Sequence, residues 1–126
     1  MSNVLVPKIF ESEYRFCLIL WETEPISSAK LAGLCKERLG WSRTTTYTVI
    51  KRLSERGVLK NQNGAVVSLV SKNDVQAAEI DELVKKTFEG SLPAFIAAFA
   101  NHRRLTAAER EELLRLINGG EEGEEL

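Results

Sequence analysis

At 126 residues, 44% of them hydrophobic and 28% charged, the chain is sized for one compact domain with an accessory segment, and its composition is that of a folded soluble protein. No apolar run approaches the ~20 residues of a membrane span, and the start "MSNVLVPKIF" lacks a secretory pattern, so a cytoplasmic protein without membrane insertion is expected. The net charge of −1 conceals an asymmetry: residues 1–72 hold 11 Lys and Arg against 6 Glu, whereas residues 73–126 hold 6 against 12 acidic residues, and the whole positive excess lies between Lys36 and Lys60.

The first helix is expected from about Glu11 to Glu22, with Phe10, Tyr14, Cys17, Leu18 and Trp21 as its core-facing stripe. Pro25 ends the following turn. Ser27 is a natural N-cap for "AKLAGLCKERL", which turns Leu31, Leu34, Cys35 and Leu39 inward and closes at Gly40. Cys17 and Cys35 both occupy apolar positions and read as buried, reduced thiols.

"GWSRTTTYTVIKRLSERG" is ambiguous at first sight. Four threonines and a valine favour a strand, and Thr46-Tyr47-Thr48-Val49 alternates as a strand would. The helical template is longer: Thr46, Val49, Ile50 and Leu53 stand at i, i+3, i+4 and i+7, with Ser42 at the N-cap and Gly57 as the stop. A helix from Arg43 is therefore predicted. Its opposite face carries Thr44, Tyr47, Thr48, Lys51, Arg52 and Glu55, with Arg43 at the entrance. "VLKNQNGAVVSLV" then reads as a hairpin around the Asn63-Gly64 turn. Three helices followed by a hairpin, with the basic helix third, is the order of a winged helix-turn-helix, and the glycine-containing link "GW" suits it.

Beyond residue 72 three short amphipathic helices are expected. Ile80, Leu83, Val84, Thr87 and Phe88 stripe the first, which Gly90 ends. Leu92, Phe95, Ile96 and Phe99 stripe the second, entered by Ser91 with Pro93 in its first turn. His102 falls in the polar loop "NHRRL". Thr106 and Glu109 form a capping box ahead of Leu113, Leu114 and Ile117 on the third. These helices are too small for a core of their own, and their apolar faces need either the first domain or a second copy of the chain; the phenylalanine-rich middle helix favours a second copy. The fold class is thus mainly α: a winged-helix domain over 1–72, a helical dimerisation domain over 73–118, and a disordered acidic tail over 119–126.

The candidate DNA-binding set is Ser42, Arg43, Thr44, Thr45, Tyr47, Thr48, Lys51, Arg52 and Lys60. Threonine offers a hydroxyl to base edges or phosphate and a methyl to thymine, and a helix N-terminus favours phosphate. Thr45 has the alternative of capping the turn within the protein, and Arg52 that of pairing with Glu55 or Glu37. Trp41 reads as a core wedge between the second and third helices rather than a base-stacking platform. One histidine, no paired-cysteine motif, no glycine-rich phosphate loop and no nucleophile motif argue against an enzyme, a metal site or a cofactor. The competing non-catalytic function is a winged-helix module that binds protein and never touches DNA; the basic, threonine-rich third helix argues against it.

"WSRTTTYTVIKRLSERGVL" resembles the penicillinase and methicillin-resistance repressor family, through Trp41, Ser42, Thr45, Thr48, Arg52, Leu53 and Gly57. Glu13, Tyr14 and Trp21 suit the family's first helix, "FEGSLPAFIAAF" looks like its dimerisation segment, and the likeness covers roughly residues 9–117. The resemblance implies a homodimeric repressor on a palindromic operator, controlling β-lactam resistance or a related stress response. It also implies a membrane sensor protease as partner, with cleavage at an Asn-Phe bond that aligns with Ala98-Phe99. The asparagine is absent here, so another inducing signal is an open alternative. The tail has no cysteine, which sets this chain apart from copper-responsive relatives, and Ala65 replaces the basic residue common after the family's wing glycine, leaving Lys60 as the wing's only cation.

Overall fold

The computed structural model describes residues 6–125, with side chains through residue 119. Six helices and three short strands follow in the order α1 (Glu11–Thr23), β1 (Ile26–Ser27), α2 (Ser28–Leu39), α3 (Arg43–Glu55), β2 (Leu59–Gln62), β3 (Ala65–Ser68), α4 (Lys72–Thr87), α5 (Leu92–His102) and α6 (Ala107–Glu125). This is the predicted class, a winged helix followed by further helices. The chain divides into two compact units between Glu82 and Leu83, inside α4, and not at the 72/73 boundary drawn from the sequence. The first turns of α4 belong with the winged helix because Val75 is part of its core and Gln76 Nε2 donates to the Tyr14 hydroxyl at 3.3 Å.

In the first unit the caps form as the sequence predicts. Ser27 and Ser42 hydroxyls accept the Lys30 and Thr45 N–H groups at 3.2 and 3.1 Å, and Gly40 closes α2 in the left-handed region at φ 72°. Without a Cβ, glycine adopts that conformation at no steric penalty. Asn63 and Gly64, at φ 56° and 78°, make the mirror-image two-residue turn that matches the twist of a hairpin. In register, Lys60 pairs Val67, Asn61 pairs Val66 and Gln62 pairs Ala65.

One strand was not anticipated. Ile26 and Ser27 pair with Val66 and Ala65, giving a three-stranded antiparallel sheet in the order β1-β3-β2. Two residues between Pro25 and a helix N-cap carry no periodicity, so no pattern could reveal them. The Glu24 carboxylate, just before β1, accepts Ser68 N–H at 2.7 Å and the Ser68 hydroxyl at 2.8–2.9 Å, fixing the wing's return strand.

The stripe assigned to α1 also needs correction. Its deeply buried row is Glu13, Phe16, Cys17 and Leu20, joined by Ile19. Phe10 is exposed, Tyr14 and Trp21 are half-buried at the flank, and Leu18 is half-buried. The true row follows i, i+3, i+4, i+7, but a glutamate stands at its first position and hid it. Tyr14 and Trp21 meet edge to face at 5.8 Å, and Trp21 Nε1 donates to the Val70 carbonyl at 3.0 Å. Both cysteines are buried and unpaired with each other, as expected; burial, reinforced by the Glu13 and Glu24 charges, pushes the Cys17 thiol up to about 12.

In the second unit Ser91 caps α5 by accepting Ala94 N–H at 3.1 Å, and Phe88 meets Phe95 edge to face at 5.6 Å. Thr106 and Glu109 form the reciprocal capping box, each bond 3.0 Å. His102 is the last residue of α5 rather than a loop residue. The backbone of α6 is helical through Glu125, into the segment read from sequence as a tail; the side chains of 120–126 lie outside the described residues. Among the described residues no helix is long and apolar enough to cross a membrane.

Candidate nucleic-acid interface

Helix α3 is divided lengthwise. Thr46, Val49, Ile50 and Leu53 are buried, the four positions the spacing selects. Val49, Ile50 and Leu53 join Phe16, Cys17, Leu20, Leu31, Cys35, Val58, Leu59 and Val66 in the core of the first unit. Packing of this face, not intrinsic propensity, stabilises a helix so rich in β-branched residues. The Thr46 hydroxyl is fully buried and makes no hydrogen bond of ordinary geometry among the described residues. Beside it, burial raises the Cys35 pKa, with the Thr46 hydroxyl and the Arg38 charge offsetting only part of the rise.

Every residue of the predicted interface is exposed: Ser42, Arg43, Thr44, Thr45, Tyr47, Thr48, Lys51 and Arg52 on or at the start of α3, and Lys60 on β2. Tyr47 keeps 43% of its surface open. At the helix entrance the Ser42 and Thr45 hydroxyls stand 2.9 Å apart, and Ser42 Oγ accepts Thr45 N–H. Thr45 thus takes part in the cap while staying exposed. Arg43 reaches across to the Ala29 carbonyl at 3.3 Å, which links the start of α3 to the first turn of α2. Among the described residues neither Lys51 nor Lys60 is in an ion pair. Arg38, in contrast, pairs with Glu22 at 3.3 Å.

Arg52 pairs with neither Glu55 nor Glu37. Its Nη1 stands 3.8 Å from Glu13 Oε2 of α1. Glu13 is the centre of a cluster the sequence did not reveal. Arg56, just past α3, donates to both Glu13 oxygens at 2.9 and 2.5 Å and to the Lys8 carbonyl at 2.7 Å. Its guanidinium lies 5.4 Å from the Phe10 ring centroid. Burial alone would push the Glu13 carboxyl up. The hydrogen bonds from Arg56 and Phe10 N–H and the charges of Arg56 and Arg52 outweigh it and hold the group below the usual carboxylate range. A lone acidic residue at a core-row position of α1 was the available signal. Trp41 stacks on Phe16 with ring centroids 6.1 Å apart and planes 5° off parallel, which makes it the core wedge expected.

Of the residues predicted for dimerisation, Val84 is buried within the single chain and Phe88 and Phe95 are half-buried. Ile80, Leu83, Leu92, Ile96, Phe99, Leu113, Leu114 and Ile117 are exposed, as is Leu116, which was not in the predicted set. Ala98 and Phe99 lie within α5, both exposed. Among the described residues no three His, Cys, Asp or Glu side chains gather as a metal site.

Comparison with known proteins matches residues 9–119 to the family described as penicillinase repressor. The methicillin resistance regulatory protein MecI of Staphylococcus aureus (strain Mu50 / ATCC 700699) is 24% identical over 115 residues, spanning 88% of this chain and 94% of that protein. The penicillinase repressor of Bacillus licheniformis is 20% identical over 116 residues, spanning 89% of this chain and 91% of that protein. The likeness therefore takes in both compact units and not the winged helix alone.

Proposed function

The chain belongs to the penicillinase repressor family of transcriptional repressors, and on that premise we propose that it represses as a homodimer, each protomer setting α3 into the major groove over half of a palindromic operator. The observation that carries this reading is the division of α3. One face is wholly committed to the core, and the other holds three threonines, a tyrosine and the cations Arg43, Lys51 and Arg52 in the open. The helix start, with its free N–H groups and Ser42, Arg43 and Thr44, suits a backbone phosphate. Tyr47, Thr48, Lys51 and Arg52, further along the same face, suit base edges and the second strand. Lys60 adds a phosphate contact from the wing.

A single recognition helix spans only a few base pairs. Two helices about one DNA turn apart, ~34 Å, double the readout on a palindrome. The exposed apolar side chains of the second unit supply a surface for that pairing. Repression is then steric, the occupied operator excluding polymerase. The functions for which the two relatives are named, methicillin resistance regulation and penicillinase repression, point to β-lactam resistance or a related stress response as the regulated process. Relief comes either from a membrane sensor protease acting at Ala98-Phe99, where the family's asparagine is absent, or from another inducing signal. The test is a mobility-shift titration on the DNA upstream of the protein's own gene, beside light scattering at micromolar concentration. Saturable, sequence-dependent binding by a dimer is expected; a monomer, or binding indifferent to sequence, contradicts the reading.

A further inference from the structure

Glu13 is 3% exposed, the only carboxylate among the buried residues described. Its oxygens are unequally engaged. Oε1 accepts Phe10 N–H and Arg56 Nη1, both at 2.9 Å. Oε2 accepts Arg56 Nη2 at 2.5 Å and faces Arg52 Nη1 at 3.8 Å. The two-point bond from Arg56 already neutralises the carboxylate and satisfies its geometry. Arg52 is thus a second cation on the same group, and the cluster of one carboxylate and two guanidinium groups carries a net positive charge. The Arg52 side chain is 55% exposed, so the guanidinium that faces Glu13 through Nη1 is also accessible from solvent. A guanidinium tethered in this way has fewer conformations to lose when a phosphate or a guanine edge arrives.

We propose that Glu13 is a positioning residue for DNA recognition, acting through Arg52 by holding its guanidinium at the outer face of α3. The proposal rests on the DNA-binding reading of α3 made above. It differs from a purely structural role, in which Glu13 only ties α1 to the end of α3 through Arg56. A half-exposed ion pair at this separation contributes little to folding, so stability reports on Arg56 and affinity reports on Arg52.

The two roles separate in a double-mutant cycle. Full-length wild type, Glu13→Gln, Arg52→Ala and the double variant are titrated by fluorescence anisotropy against a labelled duplex from upstream of the protein's own gene. Thermal melts are recorded on each. Glu13→Gln is expected to weaken binding about 3- to 10-fold, the scale of ordering one long side chain, and Arg52→Ala at least as much. The double variant should bind no more weakly than Arg52→Ala alone. Glu13→Gln also strips Arg56 of its buried partner, so Glu13→Asp is run beside it. That change keeps the charge, shortens the side chain by one methylene and widens the gap to Arg52, and its affinity loss should likewise vanish in the Arg52→Ala background. Additive losses in both cycles, with the wild type binding normally, overturn the role of Glu13 alone. Failure of the wild type to bind overturns the DNA reading of α3 and this proposal with it.

Discussion

The two compact units treat apolar side chains in opposite ways. In the first, Phe16, Leu20, Leu31, Leu53, Leu59 and Val66 are sealed in one core, and the surface left over is polar and basic around α3. In the second, α5 and α6 leave Leu92, Ile96, Phe99, Leu114, Leu116 and Ile117 open, Leu116 at 63% exposure. A monomeric protein rarely exposes so many large apolar residues on adjacent helices. The contrast is what the proposed second copy of the chain accounts for: the first unit seals its apolar side chains within itself, and the second leaves them open. The net charge hides the local excess on the surface around α3, all of it between Lys36 and Lys60.

The largest effect should come from cutting into the sealed core. Leu53→Ala removes a fully buried side chain that holds α3 to the first unit, and about 2–5 kcal/mol of stability should be lost, measured by urea unfolding and independent of protein concentration. An equal loss from Leu116→Ala would erase the contrast between the units. Next, Ile96→Asp with Phe99→Asp places charge on the exposed face of α5. Dimers should give way to monomers in sedimentation velocity at micromolar concentration, and operator affinity should fall on the order of 100-fold as the second half-site ceases to be tethered. Unchanged sedimentation would move the dimer interface elsewhere.

A smaller effect concerns Glu13. Its folded pKa is depressed, so the folded state binds fewer protons than the unfolded one as pH drops through the carboxylate range. Its contribution is present at neutral pH and is lost as pH falls from the ordinary glutamate range through the depressed folded value. Unfolding titrations across that acid window should show a shallower decline for Glu13→Gln than for the wild type; parallel declines would remove Glu13 from the acid response. Smallest of all, Thr46→Val replaces a buried hydroxyl that makes no hydrogen bond of ordinary geometry among the described residues, its neighbour being the Cys35 thiol. The change should be neutral or stabilising by up to about 1 kcal/mol, and a clear loss of thermal stability would reveal a bond to Cys35.

Much of this architecture is legible in the amino-acid sequence, and particular residues show where such reading stops. Caps at Ser27, Ser42, Ser91 and Thr106, the left-handed Gly40 and the Asn63-Gly64 turn are local devices, decided by neighbours three or four positions away. The buried row of α3 was legible because all four of its residues can be buried without a charge. The row of α1 was not, because Glu13 stands in it and finds its compensation 43 residues away in Arg56. Strand β1 depends on β3, and the extent of the first unit into α4 depends on Val75 meeting the core; both are long-range pairings with no local trace. Residue type marks out the exposed side of α3, yet only the fold shows that Arg52 faces Glu13 while, among the described residues, Lys51 and Lys60 have no ion-pair partner.

The central claim, that the outer face of α3 meets DNA phosphate and bases, is tested most directly by the salt dependence of binding. The affinity of the wild type and of Lys51→Ala with Arg52→Ala for the upstream duplex should be measured across a range of salt concentration. Log affinity should fall linearly with log salt in the wild type. The double variant should bind more weakly, with a slope smaller by roughly one to two, about 0.9 for each phosphate that is no longer neutralised. A double variant that binds with wild-type affinity and slope would contradict the account.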